Sequence, residues 1–296
     1  MSLAAAALVA ALAQRPPLER QAFRAYQARD WVEAARLYGD WHASGKGTAA
    51  TYDYLGVAFT SLGRLADAEA ALLRAIEMDP RHRWAYNHVG FVYREQGRHE
   101  QAIGMFRRQI EISPRDPYAW RNLAATLALT GRLGEADRAA ASHEQYTYER
   151  GAVYIDMACS LNSLKQPDQA RKYLERAETA GAERSLLAQE WAHYFLTTGQ
   201  RQGALEQYRK LLEYRPHDPL PALRLGAVYL EMGKLDEAAA AFARVIEVND
   251  AGQVTIRTSP NTSTTITLEE ARRNPPLFGD LPLDLGRAVE LVRERR

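Results

Sequence analysis

The strongest constraint on this chain is a period. "GVAFTSLGRLADAEAALLRAIEMDP" begins at Gly56, and "GFVYREQGRHEQAIGMFRRQIEISP" begins 34 residues later at Gly90 with the same order of small, apolar, glycine and proline positions. A 34-residue frame runs without insertion from Arg15 to Gly252 and gives seven units: 15–48, 49–82, 83–116, 117–150, 151–184, 185–218 and 219–252. Position 20 of the frame is alanine every time, at Ala34, Ala68, Ala102, Ala136, Ala170, Ala204 and Ala238. Position 8 is always small (Ala22, Gly56, Gly90, Ala124, Ala158, Ala192, Gly226), and position 24 is mostly large (Tyr38, Leu72, Phe106, Ala140, Leu174, Tyr208, Phe242). Position 11 behaves likewise, from Phe59 and Tyr93 to Phe195 and Tyr229, with Ala25 as its weakest member.

Two antiparallel helices that cross closely need a small residue at the contact, because a side chain there would push the backbones apart. Positions 8 and 20 supply one per helix, and positions 11 and 24 supply the apolar knobs that fill the space beside it. Glycine at position 15 (Gly63, Gly97, Gly131, Gly199, Gly233) ends the first helix in a left-handed cap, and Pro80, Pro114 and Pro216 stop the second. One helix pair cannot bury its apolar face alone, so the period predicts a stack of pairs sharing a continuous core.

This pattern resembles the tetratricopeptide repeat, a helix–turn–helix unit of 34 residues, over residues 15–252. The resemblance implies an all-α fold, a right-handed α-solenoid of antiparallel helix pairs. Units 49–82, 83–116 and 219–252 match best. Unit 15–48 has Gln21 and Ala25 at apolar positions, and unit 117–150 has Ala140 and Tyr148 where phenylalanine and proline are usual. Unit 151–184 carries Lys165 in place of the turn glycine, with Pro167 nearby, and a reshaped turn is expected there.

The resemblance also implies where a partner lies. Positions 2, 5, 6, 9, 12 and 13 of each first helix line the concave face in this family. Here they offer Asp53, Tyr54, Val57 and Thr60; Trp84, Asn87, His88, Phe91 and Arg94; Tyr118, Arg121, Asn122 and Ala125; Ile155, Asp156, Cys159 and Asn162; and Gln189, Glu190, His193 and Leu196. The aromatic members can pack a partner's apolar side chains, and Asn87, Arg121 and Asn122 can hydrogen-bond an extended backbone or a carboxylate. The expected ligand is therefore a protein or peptide segment. Some members hold a terminal carboxylate with Lys and Asn at positions 5 and 9, and Asp53/Val57, Asn87/Phe91 and Arg121/Ala125 do not match that pair.

Other function classes find little support. A formal net charge of +1 lacks the basic excess of a general nucleic-acid binder. No apolar run reaches the ~18–20 residues that span a bilayer. The single cysteine, Cys159, allows no internal disulfide. Cys159 and His193 share position 9 of adjacent units, and Asp156 lies one turn before Cys159. Equivalent positions of stacked repeats sit about 10 Å apart, whereas a nucleophile and its base need about 3 Å. No phosphate loop, metal-spaced cluster or Gly-x-Ser-x-Gly occurs, so no enzyme activity, cofactor or metal is expected.

The ends break the pattern. Residues 1–14 are rich in alanine and read as a capping helix, which favours a cytoplasmic location. The alternative is an export signal, although no Lys or Arg precedes Arg15. After Asn249, "VTIRT" and "STTITL" around Ser259-Pro260-Asn261 read as a β-hairpin, Thr267 with Glu270 as a capping box, residues 274–282 as a turn-rich linker, and Leu283 to Arg296 as an amphipathic helix with Leu285, Val289 and Val292 on one face. This extension, 253–296, can dock on the last repeat, begin a further domain, or pair with a partner or second copy. The leading expectation is a non-enzymatic adaptor holding a peptide in the concave groove. A helical docking arm of a larger enzyme or envelope/secretion complex, and a self-assembling scaffold that forms homo-oligomers through end repeats or hairpin, are the alternatives.

Overall fold

The computed structural model describes residues 16–249, 253–259, 262–267, 269–270 and 284–295. The expected capping helix at 1–14, the Pro260-Asn261 turn and the linker at 274–282 lie outside the described residues. The chain forms two compact units, 1–148 and 149–296.

The first unit holds α1 (Pro17–Gln27), α2 (Trp31–Ala43), α3 (Ala49–Ser61), α4 (Leu65–Met78), α5 (Arg83–Glu95), α6 (His99–Ile112), α7 (Pro117–Leu129) and α8 (Leu133–Gln145). The second holds α9 (Ala152–Ser163), α10 (Pro167–Thr179), α11 (Arg184–Thr197), α12 (Arg201–Tyr214), α13 (Pro219–Glu231), α14 (Leu235–Phe242), then β1 (Ile246–Val248), β2 (Gln253–Ser259), β3 (Thr262–Thr267) and α15 (Leu285–Glu294). Within each unit successive helices pack on one another, and first helices also touch, α3 with α5 and α9 with α11. Several starts are written locally. Asp116 and Asp218 accept the N–H of Tyr118 and Leu220, and the proline that follows each presets the first turn.

The small positions do the work that their spacing implies, with one refinement. All seven alanines at position 20 are 0% exposed. Position 8 meets position 24 of its own pair. A Cβ on Gly90 would lie 2.6 Å from the Phe106 ring, and Cβ atoms on Gly56 and Gly226 would collide with Leu72 and Phe242. The glycine is thus the floor on which the knob of the second helix rests.

The turns are more uniform than the sequence implies. The five position-15 glycines have φ between +70° and +74°. Lys165 does not reshape its turn but adopts the same left-handed conformation at φ +56°, and Arg29, at position 15 of its own unit, does so at +58°. Closure of the pair therefore overrides a local preference of about 1–2 kcal/mol. In two of the pairs without a closing proline, Gly45 and Gly181 follow the second helix with φ of +75° and +71°.

The last unit departs from the frame. The second helix of 219–252 stops at Phe242, and the β-branched run at 245–248 becomes β1, which the repeat frame had assigned to helix. The sheet order is β1-β2-β3, antiparallel throughout, with Ile246 opposite Ile256 and Val254 opposite Ile266. Its inner face (Ile246, Val248, Val254, Ile256) and α15 (Leu285, Ala288, Val289, Leu291, Val292) share one core with α13 and α14. The extension thus lies on the last helix pair. Thr267 and Glu270 form the reciprocal bonds of a capping box, at 2.7 and 3.2 Å.

Three substitutions test this packing and its turns. Gly90→Ala gains about 1 kcal/mol of helix propensity but forces the Phe106 ring aside, for which overpacking costs about 1–3 kcal/mol. A net loss near 1 kcal/mol is expected in denaturant unfolding. Gly104→Ala, on a helix position with nothing within 4 Å of the new Cβ, is expected to stabilise by about 0.5–1 kcal/mol. Lys165→Gly relieves the left-handed residue and is expected to add about 1 kcal/mol by the same measurement.

Candidate protein-binding surface

In the first unit, residues 84, 87, 88 and 91 recur at three- and four-residue spacing along one side of α5, away from its buried residues Ala85, Val89, Val92 and Tyr93. Trp84 and Phe91 are 36% and 38% exposed, and Tyr118 on α7 is 52% exposed. Arginines hold the rings: Arg83 lies over Trp84 at 4.7 Å and Arg94 over Phe91 at 4.6 Å. Arg83 is anchored in turn by Ser113 Oγ at 3.3 Å and Asp116 at 3.8 Å. Asn122 donates to Asn87 at 2.7 Å, which sets α7 and α5 side by side and leaves a polar strip between the aromatics. Arg121 is half-buried beside Asn122 on α7.

One expected surface residue belongs to the interior instead, and a second, Tyr54, is half-buried in an aromatic cluster. Asp53 is 5% exposed, with its carboxylate 2.7 Å from His88 Nδ1 and 3.5 Å from His82 Nε2. Tyr54 packs among Phe23, Tyr26 and Tyr38, at 5.4, 4.9 and 5.8 Å between ring centres. For Asp53 the physical reason is its position in the frame. Positions 5 and 6 of successive first helices face each other, so Asp53 meets His88 as Asn87 meets Asn122. These polar rungs join neighbouring pairs, and their repetition in the frame was the signal that could have identified them.

The Asp53 rung is electrostatic. Burial alone would raise the Asp53 carboxyl, but the hydrogen bond from His88 and the attraction of His82 at 3.5 Å outweigh it and hold the group below the ordinary carboxylate range. Its carboxylate holds the His82 imidazolium above the ordinary histidine range against the opposing effect of burial. The lowered Asp53 contributes stability that is present above the ordinary carboxylate value and lost as pH falls through its folded value. The raised His82 contributes stability that is full below the ordinary histidine value and lost as pH rises through its folded value. The contribution of this rung should therefore decline as pH rises from about 6 towards 8, and it is read as the difference in unfolding free energy between the wild type and Asp53→Asn, because His42 and His193, both lowered by burial, contribute with the opposite sign in each protein. A difference that stays constant across this range would contradict the rung.

In the second unit, Ile155 is buried, Asp156 is half-buried, and Gln189 and His193 are exposed on α11. The thiol of Cys159 hydrogen-bonds Glu190, one residue beyond Gln189. A cleft of about 540 Å³ opens between α11, α12 and α13, with Gln189, Glu190 and His193 on one wall and Arg224 on another. Burial and the nearby Arg224 both lower the His193 pKa. Among the described residues no group of three or more His, Cys, Asp or Glu is placed to hold a metal, and no helix is long and apolar enough to cross a membrane.

Sequence and structure comparisons agree on the class. Family profiles described as "Tetratricopeptide repeat" match residues 55–117, 92–146 and 195–253. The chain belongs to the tetratricopeptide repeat family. Among solved structures it is similar to a tetratricopeptide repeat protein from Parabacteroides merdae, at 13% identity over 77% of this chain and 90% of that one, with a TM-score of 0.56. It is also similar to a chain of the APC/C hetero-tetramer Cut9–Hcn1, at 13% identity over 76% of this chain, with a TM-score of 0.51. The chain spans 45% of the length of that second relative. These likenesses describe the fold. No curated protein matches the chain in sequence. The family is a protein-interaction fold, typically non-catalytic, and supports an adaptor or scaffold role.

Proposed function

We propose that this chain is an adaptor that holds a segment of a partner protein against the first-helix face of its first unit. The observation that carries the reading is the trio Trp84, Phe91 and Tyr118, exposed on two adjacent helices around the Asn87–Asn122 pair. Single exposed aromatics are ordinary. Three on one surface, two of them already held by stacked arginines, offer large contact area at a low ordering cost. Asn87, Asn122 and Arg121 supply polar groups between the rings, suited to an extended backbone. Asp53 supports this surface from beneath, and His88 links the two roles by touching Asp53 while staying partly exposed.

The test is partner capture from source-cell extract with intact protein and with the double variant Phe91→Glu plus Tyr118→Ala. Both positions are exposed, so the fold and its unfolding midpoint should be unchanged. Removing central aromatics from an interface typically costs 2 kcal/mol or more, so binding of the captured partner should weaken by about 30-fold or more. Equal binding by the variant would end the proposal.

A further inference from the structure

We propose that the C-terminal extension carries a phosphate-binding site, centred on Arg244, Arg257 and Arg295. The three guanidinium groups line a cavity of about 600 Å³ where the outer face of the sheet meets the C-terminal end of α15. None of the residues that line it belongs to the first helix of a repeat, so the site stands or falls apart from the first-unit surface.

The register shows how the groups converge. Strand residues alternate between faces. Ile246, Val254 and Ile256 face the shared core, so Glu247, Thr255 and Arg257 face outwards. Arg257 donates its backbone N–H to the Val245 carbonyl at 2.9 Å on one side and is opposite Ser263 on the other. Arg244, one residue before Val245, is thereby brought beside Arg257, and Arg295 reaches the same cavity from the end of α15.

The charge of this cluster is unanswered. Exposed arginines elsewhere on the chain are matched, as Arg64 is by Asp67 at 2.7 Å and Arg108 by Glu111 at 2.6 Å. Among the described residues Arg244 and Arg257 make no ion pair and no side-chain hydrogen bond. Arg295 donates to a neutral acceptor, the backbone carbonyl of Asp236, at 3.3 Å. The acids near the end of α15 are committed elsewhere, with Glu290 and Glu294 at 3.6 and 3.8 Å from Arg287. Glu247 is the one acid among the described lining residues, and it has an interaction of its own. The remaining polar wall is hydroxyl, from Thr255 and Ser263. Three like charges that share a cavity repel one another, and an anion between them removes that cost. A carboxylate has one plane and one charge, which suits a single guanidinium fork. A phosphate monoester carries about −1.5 to −2 charge at pH 7 and presents three oxygens, so several forks and a hydroxyl can reach it from different directions. The ligand chemistry is therefore a phosphate monoester, on a phosphorylated side chain of a partner or free in solution.

The test is a chemical-shift titration of the full chain at about pH 7.5, where the phosphate is mostly dianionic, and at constant ionic strength, so that screening does not vary. The probes are inorganic phosphate, N-acetyl-phosphoserine amide and N-acetyl-aspartate amide. Saturable shifts of amides 244–247, 255–257 and 292–295 are expected with at least one phosphate probe. Tighter binding of the phosphoserine amide assigns the site to a phosphorylated segment, and equal or tighter binding of inorganic phosphate assigns it to a free phosphate. The aspartate amide should bind about tenfold more weakly or worse. Arg257→Gln and Arg244→Gln, both at exposed positions, should each weaken phosphate binding by about tenfold with the unfolding midpoint unchanged, and Arg257→Lys by less. The Phe91→Glu plus Tyr118→Ala variant should bind phosphate as the intact protein does. No saturable shift with either phosphate probe, equal binding of the aspartate amide, or unchanged binding by both glutamine variants would overturn the proposal.

Discussion

Everything in this fold depends on how closely two helices approach within each pair. The approach is made by a missing side chain. Gly56, Gly90 and Gly226 carry nothing where a Cβ would strike Leu72, Phe106 or Phe242, and the alanine of the second helix is fully buried in every pair. Because the contact leaves no slack, the pair behaves as a nearly rigid block. Rigid blocks of one length, joined by turns of one conformation, present the same positions to their neighbours each time. The polar rungs follow from that repetition. So does the alignment of Trp84, Phe91 and Tyr118, since a surface shared by two helices needs those helices held in register.

The end of the stack faces the opposite problem. A last pair has an apolar side with no successor, and a repeat fold must cover it. This chain does so by shortening α14 and turning the β-branched run after Arg244 into the first strand of a small sheet. The sheet and α15 then place their apolar residues in the same core as Leu223 and Phe242. A two-stranded hairpin would be marginal in water. Three strands backed by helices are not.

Much of this was legible in the sequence. The helix pairs, their turns at glycine and the hairpin could be read from position 8, position 20 and the alternation of "VTIRT", because each of those signals is local. Three features were not legible, for distinct reasons. Arg29 and Lys165 occupy a left-handed turn that their own preferences oppose, so tertiary closure decides the geometry. The strand at 246–248 is three residues long and lies inside the repeat frame, where its periodicity cannot outvote the unit around it. Asp53 and Tyr54 were read as surface because the frame names positions but not their neighbours. Asp53 is enclosed by His82, from the end of its own unit, and by His88, from the next. Of the expected binding residues, those with exposed rings are available to a partner, while the fifth and sixth positions mostly serve the junctions.

The account therefore rests on a division of labour: rungs that hold neighbouring pairs together, and aromatics beside them that meet a partner. The most direct test is hydroxyl-radical footprinting of the free protein and of the complex with its captured partner. Protection of Trp84, Phe91 and Tyr118, with Tyr214 of the second unit still reactive, is the result this account requires. Unchanged reactivity of those three rings, with protection elsewhere on the chain, would contradict it.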